Sequence, residues 1–263
     1  MTYKGKTMEE WREEWERYKP VVPSKDEPWR EAECLVCKDT EWLYGRKADG
    51  SVDYSVAVPC ECLLEREKGE KVRYSLEKSG IPDTRRVNTF ETFKRVKGTE
   101  EAFASSKILA GGIAGFSLLL LYGEPGNGKT HLAYAACLHA IEAGKRPAFK
   151  PILELFTELR LAMDKPDSSP DQIIEDLKKV DLLVLDDLGA QPFDKKSEWG
   201  ESKIEELINY RYAHRKPMII TMNRNPSTLS QPILSRLKDP EVSRMILNEA
   251  PDYRRRRDGK EKG

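Results

Sequence analysis

The feature that most constrains this chain is a glycine-rich segment at residues 123–130, Gly-Glu-Pro-Gly-Asn-Gly-Lys-Thr. It matches the phosphate-binding pattern Gly-x4-Gly-Lys-Thr, follows an apolar run at 116–122 and precedes a helical pattern at 131–143. Glycines let the backbone turn tightly, so that successive N–H groups point at phosphate oxygens, and the following helix adds its positive N-terminal end. The sequence therefore predicts a strand, loop and helix that together bind a nucleoside phosphate.

Two side chains of this segment have distinct expected roles. Lys129 is expected to reach the β- and γ-phosphates, and Thr130 to coordinate Mg²⁺. The competing interpretation, a glycine-rich turn without a ligand, does not account for both matching flanks. The predicted nucleotide-binding residues here are Gly123, Glu124, Pro125, Gly126, Asn127, Gly128, Lys129, Thr130 and His131.

Polar side chains also end two of the apolar runs. Asp186 and Asp187 follow the run at 182–185, where ligands bind in open α/β sheets. Asp186 is the expected Mg²⁺ partner, and Asp187 is placed to orient and deprotonate an attacking water. The alternative is a solvated acidic turn. Asn223 ends the run at 217–222 and is expected to hold that water or sense the γ-phosphate; alone, it would more often be a turn former.

Short apolar runs alternate with helical patterns between residues 116 and 221. The runs are at 116–122, 182–185 and 218–221, and each is nearly continuous, as in strands buried on both faces. The helical patterns are at 131–143, 152–163, 173–179 and 197–214. The alternation predicts an α/β fold with a parallel sheet flanked by helices.

Four cysteines form a separate pattern nearer the N-terminus. Cys34 and Cys37 are separated by 22 residues from Cys60 and Cys62, and two strand patterns at 40–44 and 52–58 flank a turn at 48–50. Four thiolates complete a tetrahedral zinc shell, and zinc would supply folding energy that so small a module lacks. Free buried cysteines are the alternative. We expect a zinc-ribbon-like module.

The charge balance and the absence of targeting patterns bear on whether this protein binds nucleic acid, is secreted or enters a membrane. Lysine plus arginine and aspartate plus glutamate number 45 each, so net charge gives no indication of general nucleic-acid affinity. The N-terminus lacks a signal peptide, and the longest strongly apolar run is too short to cross a bilayer. Five cysteines without a secretion signal favour reduced or metal-bound thiols. We expect a soluble, cytoplasmic protein without a membrane partner.

These patterns divide the 263 residues into four segments. The first is an amphipathic helix with a proline-rich linker at 1–28, whose stripe of Met8, Trp11, Trp15 and Tyr18 would pack on this protein or on a partner helix. The others are the cysteine module at 29–67, a helical linker at 68–88 and an ATPase domain at 89–263. Cys137 is expected to be a core residue of the last segment.

Several segments, read together, resemble a known family. FSLLLLYGEPGNGKTHLA, VDLLVLDDLGAQ, SEWGESKIEELINYRYAHRKPMIITMN, LSRL and APDYR resemble the AAA+ helicase loaders of the DnaC/DnaI type and their relative IstB, a transposition helper ATPase. The resemblance covers residues 89–254. It implies that the segment containing Phe90 lies near adenine, that Asn223 is sensor 1, that Arg236 is an arginine finger and that Arg254 is the sensor 2 arginine.

The resemblance also implies a function. An ATP- and Mg²⁺-dependent loader of the replicative helicase would act as a homo-oligomer through its ATPase domain and contact single-stranded DNA. Most AAA+ enzymes have Asp-Glu where this chain has Asp186-Asp187, which favours slow hydrolysis used as a switch. Arg236 could instead be an ordinary surface arginine, and the run at 254–257 a solvated tail or a contact to nucleic-acid backbone. The rival functions are a transposition helper ATPase and a non-hydrolysing, ATP-switched adaptor.

Overall fold

The computed structural model describes residues 2–3, 6–7, 33–163, 169–190 and 195–253. The predicted stripe between Met8 and Tyr18 and the run at 254–257 lie outside the described residues. The chain divides into two compact units, Met1–Lys71 and Val72–Gly263, and each is considered by itself. Within the described ranges, no helix is both long enough and apolar enough to cross a membrane.

The first unit contains two antiparallel strand pairs and the start of a helix. Strands β1 (Thr2–Tyr3) and β2 (Lys6–Thr7) pair with each other, and β3 (Trp42–Arg46) pairs with β4 (Val52–Pro59). Helix α1 (Glu61–Lys78) follows, and the boundary between the units falls within it. The small core of this unit consists of Leu43 with Cys37 and Cys60, all buried.

The second unit is built on a five-stranded parallel sheet. Its strands are β5 (Leu118–Tyr122), β6 (Pro147–Pro151), β7 (Leu182–Asp186), β8 (Met218–Met222) and β9 (Ser243–Leu247), in the order β6-β7-β8-β5-β9. The three central strands are buried almost throughout, because helices cover both faces of the sheet. This confirms the predicted α/β fold class.

The helices form two layers. Helices α2 (Glu100–Gly111) and α3 (Lys129–Glu142) share one apolar cluster with Leu119, Val184 and Ile219 of the sheet. The opposite cluster contains Leu120, Leu185 and Ile220 together with α4, α5, α6 and α7. Those four helices are Ile152–Met163, Pro170–Lys179, Lys195–Ala213 and Gln231–Leu237, and short 3₁₀ turns occupy Asp83–Arg85 and Pro226–Thr228. Side chains therefore alternate between the layers along each strand.

The predicted elements agree with the structure in most of their bounds. Helix α4 spans the predicted residues, and the other predicted helices of the second unit begin two or three residues earlier. Helix α1 begins at Glu61, before the predicted helical linker at 68–88, so that Cys62 lies in its first turn. Part of the predicted linker belongs to the second unit, since Val72, Leu76 and Ile81 pack in its core. Strands β6 and β9 and helix α2 were not predicted.

A fully buried arginine links the two connections that lead into β7 and β8. Arg211 of α6 donates hydrogen bonds to the carbonyl oxygens of Leu177 (2.9 Å), Val180 (3.2 Å) and Pro217 (2.6 Å). The last carbonyl groups of α5 have no hydrogen-bond donors within that helix, and the guanidinium of Arg211 donates to them instead. Burial lowers the pKa of Arg211 to about 10. The side chain therefore fixes the start of β7 and of β8.

We expect Arg211→Met to lower the free energy of unfolding by about 2–4 kcal/mol, because several buried carbonyls would lose their donors. Arg160→Met is the matched control, since Arg160 is exposed on α4. It should change stability by no more than about 0.5 kcal/mol. Urea unfolding of both variants measures the difference, and equal stability would contradict the role given to Arg211.

Candidate nucleotide-binding site

A cavity of about 670 Å³ opens at the carboxyl ends of the central strands of the second unit. The loop after β5, the ends of β7 and β8, and residues on both sides of the sheet meet there, as is usual in open α/β sheets. Most of the residues predicted to act on a nucleotide line this cavity: Pro125, Gly126, Asn127, Gly128, Lys129, Thr130, His131, Asp186, Asp187 and Asn223. The structure therefore brings three separate sequence motifs to one place.

The loop between β5 and α3 uses its glycines for close approach. Gly123 and Gly128 have φ angles of 135° and 95°, in the region that favours glycine. A Cβ at Gly123 would lie 2.6 Å from the carbonyl oxygen of Asn248, and one at Gly128 would lie 2.8 Å from Cε2 of Phe93. Side chains at these positions would move the loop away from its neighbours.

The ammonium of Lys129 lies inside this loop. Its Nζ donates to the carbonyl oxygens of Gly123 and Glu124, both at 2.8 Å, and to Oδ1 of Asn127 at 2.9 Å. Only 4% of the residue is exposed. A positive charge is thus held at the N-terminal end of α3, where anions are favoured.

Asp186 ends β7 under the first turn of α3. Its Oδ1 accepts hydrogen bonds from Thr130 Oγ1 (3.0 Å) and Thr221 Oγ1 (2.6 Å). Burial raises the pKa of Asp186, and these two hydrogen bonds oppose the rise. A hydroxyl and a carboxylate within 3.0 Å of each other are oxygen donors of the kind that Mg²⁺ prefers.

Asp187 and Asn223 contact each other across the neighbouring strand ends. Asn223 Nδ2 donates to Asp187 Oδ1 at 2.6 Å. Asp187 has a φ angle of 60°, which is uncommon for a residue with a side chain. The two residues therefore lie together at the cavity, and their predicted role in holding a water stays a prediction.

His131 faces the segment that precedes α2. Its Nε2 lies 2.9 Å from the carbonyl oxygen of Thr89, and its ring packs edge-on against Phe93 with centroids 5.1 Å apart. Burial lowers the pKa of His131, so the neutral ring is favoured. This contact holds residues 89–93 against the start of α3.

Four predicted residues in the described part of the chain do not line the cavity: Gly123, Glu124, Phe90 and Arg236. Phe90 is 4% exposed and packs in the core against Phe103, whereas Phe93 lines the cavity. Arg236 lies on α7, with its guanidinium 6.0 Å from the ring centroid of Tyr212. Arg254 lies outside the described residues.

Two buried polar residues that support the site were not predicted from the sequence. Thr221 is a polar residue inside the otherwise apolar strand β8, and that contrast could have identified it. Asn248 follows β9 and is buried with Asn127, to which it is joined by reciprocal hydrogen bonds. Asn127 Nδ2 donates to Asn248 O at 2.6 Å, and Asn248 Nδ2 donates to Asn127 O at 3.0 Å. Because β9 was not predicted, no predicted strand ended next to Asn248, and nothing in the sequence marked it as a site residue.

In the first unit, the four predicted cysteines form one cluster. Their Sγ atoms all lie within 4.8 Å of one another, with Cys34 and Cys60 3.8 Å apart and Cys37 and Cys62 3.4 Å apart. Four sulfurs about 2.3 Å from one zinc ion would lie about 3.8 Å from each other. Backbone N–H groups of Cys37 and Val36 lower the pKa of Cys34 to about 7, whereas burial raises the pKa of Cys60 and of Cys62. The donor set fits zinc.

Comparison with known proteins agrees with this geometry. A model of the family described as IstB-like ATP binding protein matches residues 47–248. The replicative helicase loader DnaC of Escherichia coli K12 is 27% identical over 207 residues, which are 75% of this chain and 82% of DnaC. A putative insertion sequence ATP-binding protein of Sinorhizobium fredii is 39% identical over 106 residues, 40% of this chain and 34% of that protein.

A solved structure shows the same fold. The crystal structure of the DnaC helicase loader superposes with a TM-score of 0.54 and 23% sequence identity, covering 64% of this chain and 100% of that chain. At this identity the likeness shows the fold alone. The family match and the similarity to DnaC over most of its length confirm the resemblance found in the sequence motifs.

Proposed function

Because the chain belongs to the IstB-like ATP-binding protein family, we propose that it is an ATP-dependent loader of the replicative DNA helicase that uses ATP binding and slow hydrolysis as a switch. The observation that carries this proposal is the similarity to DnaC, which extends over 82% of the length of that loader. The proposed partners are the helicase and single-stranded DNA.

The residues of the cavity support ATP as the nucleotide. Lys129 would neutralise the β- and γ-phosphates, and the N-terminus of α3 would face them. Thr130 and Asp186 would hold Mg²⁺, which supplies charge for the phosphate oxygens when bound. Each of these side chains is already held by hydrogen bonds to its neighbours, so little reorganisation is needed on binding.

The geometry of Asp187 supports slow hydrolysis. Its carboxylate accepts a hydrogen bond from Asn223 at 2.6 Å, which fixes its direction and stabilises its charge. Aspartate is one methylene shorter than the glutamate usual at this position, so it would reach the attacking water less directly. A long-lived ATP-bound form suits a protein that must remain on its partner until loading is complete.

Arg236 supports an active site shared between subunits. The side chain is half-buried on α7, lies over the ring of Tyr212 and does not line the cavity of its own chain. We propose that it reaches the ATP of a neighbouring subunit in a homo-oligomer, where a guanidinium stabilises charge on the transferred phosphate.

Two other functions remain as alternatives. The insertion sequence protein of S. fredii is 39% identical over its matched region, which favours a transposition helper that would recruit a transposase. That match covers only 34% of the protein, whereas the match to DnaC covers most of the loader. An adaptor that binds ATP without hydrolysing it is the other alternative, and steady-state ATP turnover distinguishes it.

Capture of a partner by the purified, tagged chain tests the proposed function. In the presence of ATP, the chain should retain a purified replicative helicase and promote its transfer to single-stranded DNA. Lys129→Ala should reduce ATP affinity more than about tenfold and abolish transfer, because the loop loses its charge rather than its packing. Lys97→Ala is the control, since Lys97 is exposed. Retention of a transposase but not of helicase would contradict the proposal.

The cysteine cluster of the first unit is proposed to hold zinc. Purified, reduced protein should contain about one zinc ion per chain, and Cys34→Ser with Cys37→Ser should lower this to near zero. Cys137→Ser should leave the zinc content unchanged, because that thiol is buried alone in the second unit. Elemental analysis measures all three proteins, and metal-free wild-type protein would contradict the zinc site.

Mixing of variants tests the shared site. Arg236→Ala and Asp187→Ala should each lose most ATP turnover, while an equimolar mixture should recover part of it, since some interfaces would combine an intact Asp187 with an intact Arg236. Turnover by the mixture that never exceeds the separate variants, while labelled subunits exchange, would exclude Arg236 as the shared residue.

A further inference from the structure

A single buried hydroxyl connects the two acidic residues of the site. Thr221 Oγ1 donates to Asp186 Oδ1 at 2.6 Å and accepts the backbone N–H of Asp187 at 2.9 Å. We infer that Thr221 is a positioning residue that holds both carboxylates in the arrangement needed for the metal–nucleotide complex. This inference rests on the proposed use of Mg²⁺ and ATP by this cavity.

The place of Thr221 in β8 explains how one side chain reaches both residues. Side chains alternate along the strand, so that Thr221 points to the same layer as Ile219, toward α3. Asp186 is in phase with Val184 on the neighbouring strand β7 and therefore points the same way. The hydroxyl and the carboxylate consequently face each other beneath Thr130.

The contacts made at position 221 require a hydroxyl group and not only a side chain of this shape. Thr221 is 2% exposed, and its strand neighbours Ile220 and Met222 are fully buried. Burial of a polar group is unfavourable unless its hydrogen bonds are made. Valine has nearly the same shape as threonine and would bury no polar group. Here the hydroxyl uses both its donor and an acceptor position, and both partners belong to the site.

The donated hydrogen bond orients Asp186. Thr221 and Thr130 both donate to Oδ1, so two hydroxyls restrict the rotation of the carboxylate. Hydrogen bonds to the ionised form also stabilise its charge against burial. Without Thr221, only Thr130 would orient this group, and Thr130 is itself expected to bind the metal.

The accepted hydrogen bond orients Asp187. A φ angle of 60° is uncommon at a non-glycine residue and persists only where surrounding contacts hold it. The contact from Asp187 N to Thr221 Oγ1 is one of these, and the resulting turn directs the carboxylate to Asn223. Loss of the hydroxyl should therefore affect the metal-binding and the water-orienting carboxylate together.

Two substitutions separate the hydroxyl from packing. Thr221→Val keeps the shape and removes the hydroxyl, whereas Thr221→Ser keeps the hydroxyl and removes the methyl group. The readout is the affinity for a fluorescent ADP analogue, measured with Mg²⁺ and with EDTA, alongside ATP turnover. Thermal unfolding establishes that each variant is folded, and Thr221→Ala, which also lacks the hydroxyl, replaces the valine variant if that one does not fold.

In EDTA, we expect Thr221→Val to bind the analogue with the affinity of the wild type. The increase in affinity that Mg²⁺ causes should be about tenfold smaller than in the wild type, and ATP turnover should fall about tenfold. Thr221→Ser should remain within about twofold of wild type in both, even if its melting temperature falls. An unchanged gain with Mg²⁺ in Thr221→Val would overturn the assignment, as would equal losses in the valine and serine variants. Wild-type protein that binds no nucleotide would instead refute the proposed function, and this inference with it.

Discussion

The parallel pairing of β5, β7 and β8 is the constraint on which the site depends. Pairing in register brings the carboxyl ends of these strands to one edge, where the phosphate loop, Asp186 and Asn223 follow them directly. Parallel strands require crossover connections, and the helices that make them cover both faces of the sheet. The same connections carry the residues that orient the site, since α3 begins with Lys129 and Thr130. The position of the site residues is thus a consequence of the parallel pairing of these strands.

The sequence predicted the centre of this sheet better than its edges. Residues 118–122, 182–186 and 218–222 are apolar enough to identify strands buried on both faces. The edge strand β6 has prolines at both ends, and β9 begins with Ser243 and Arg244, so neither produces a continuous apolar run. Asn248 was therefore missed with β9. Phe90 and Phe93 could not be distinguished by spacing, because only packing decides which ring faces the cavity.

Buried polar groups recur wherever this fold joins distant segments. Arg211 binds carbonyl groups of two connections, Thr221 links two strand ends, and Asn127 and Asn248 bind each other. All of these side chains are buried, and a buried polar group is tolerated only with its partners in place. Such contacts favour one packing of the strands and helices over other packings that would bury the same apolar surface. In the described part of the first unit, the apolar cluster is much smaller and includes the cysteines.

The contact between Asn127 and Asn248 spans 121 residues and has a consequence for how the protein matures. Contacts between residues so far apart in sequence form late, because a long loop must first be closed. The phosphate loop lies near the middle of the chain, and Asn127 acquires this partner only after β9 has joined the sheet. The loop therefore reaches its final arrangement only when the last strand of the sheet is in place. Once formed, the same contact lets bound nucleotide stabilise the last strand as well as the first.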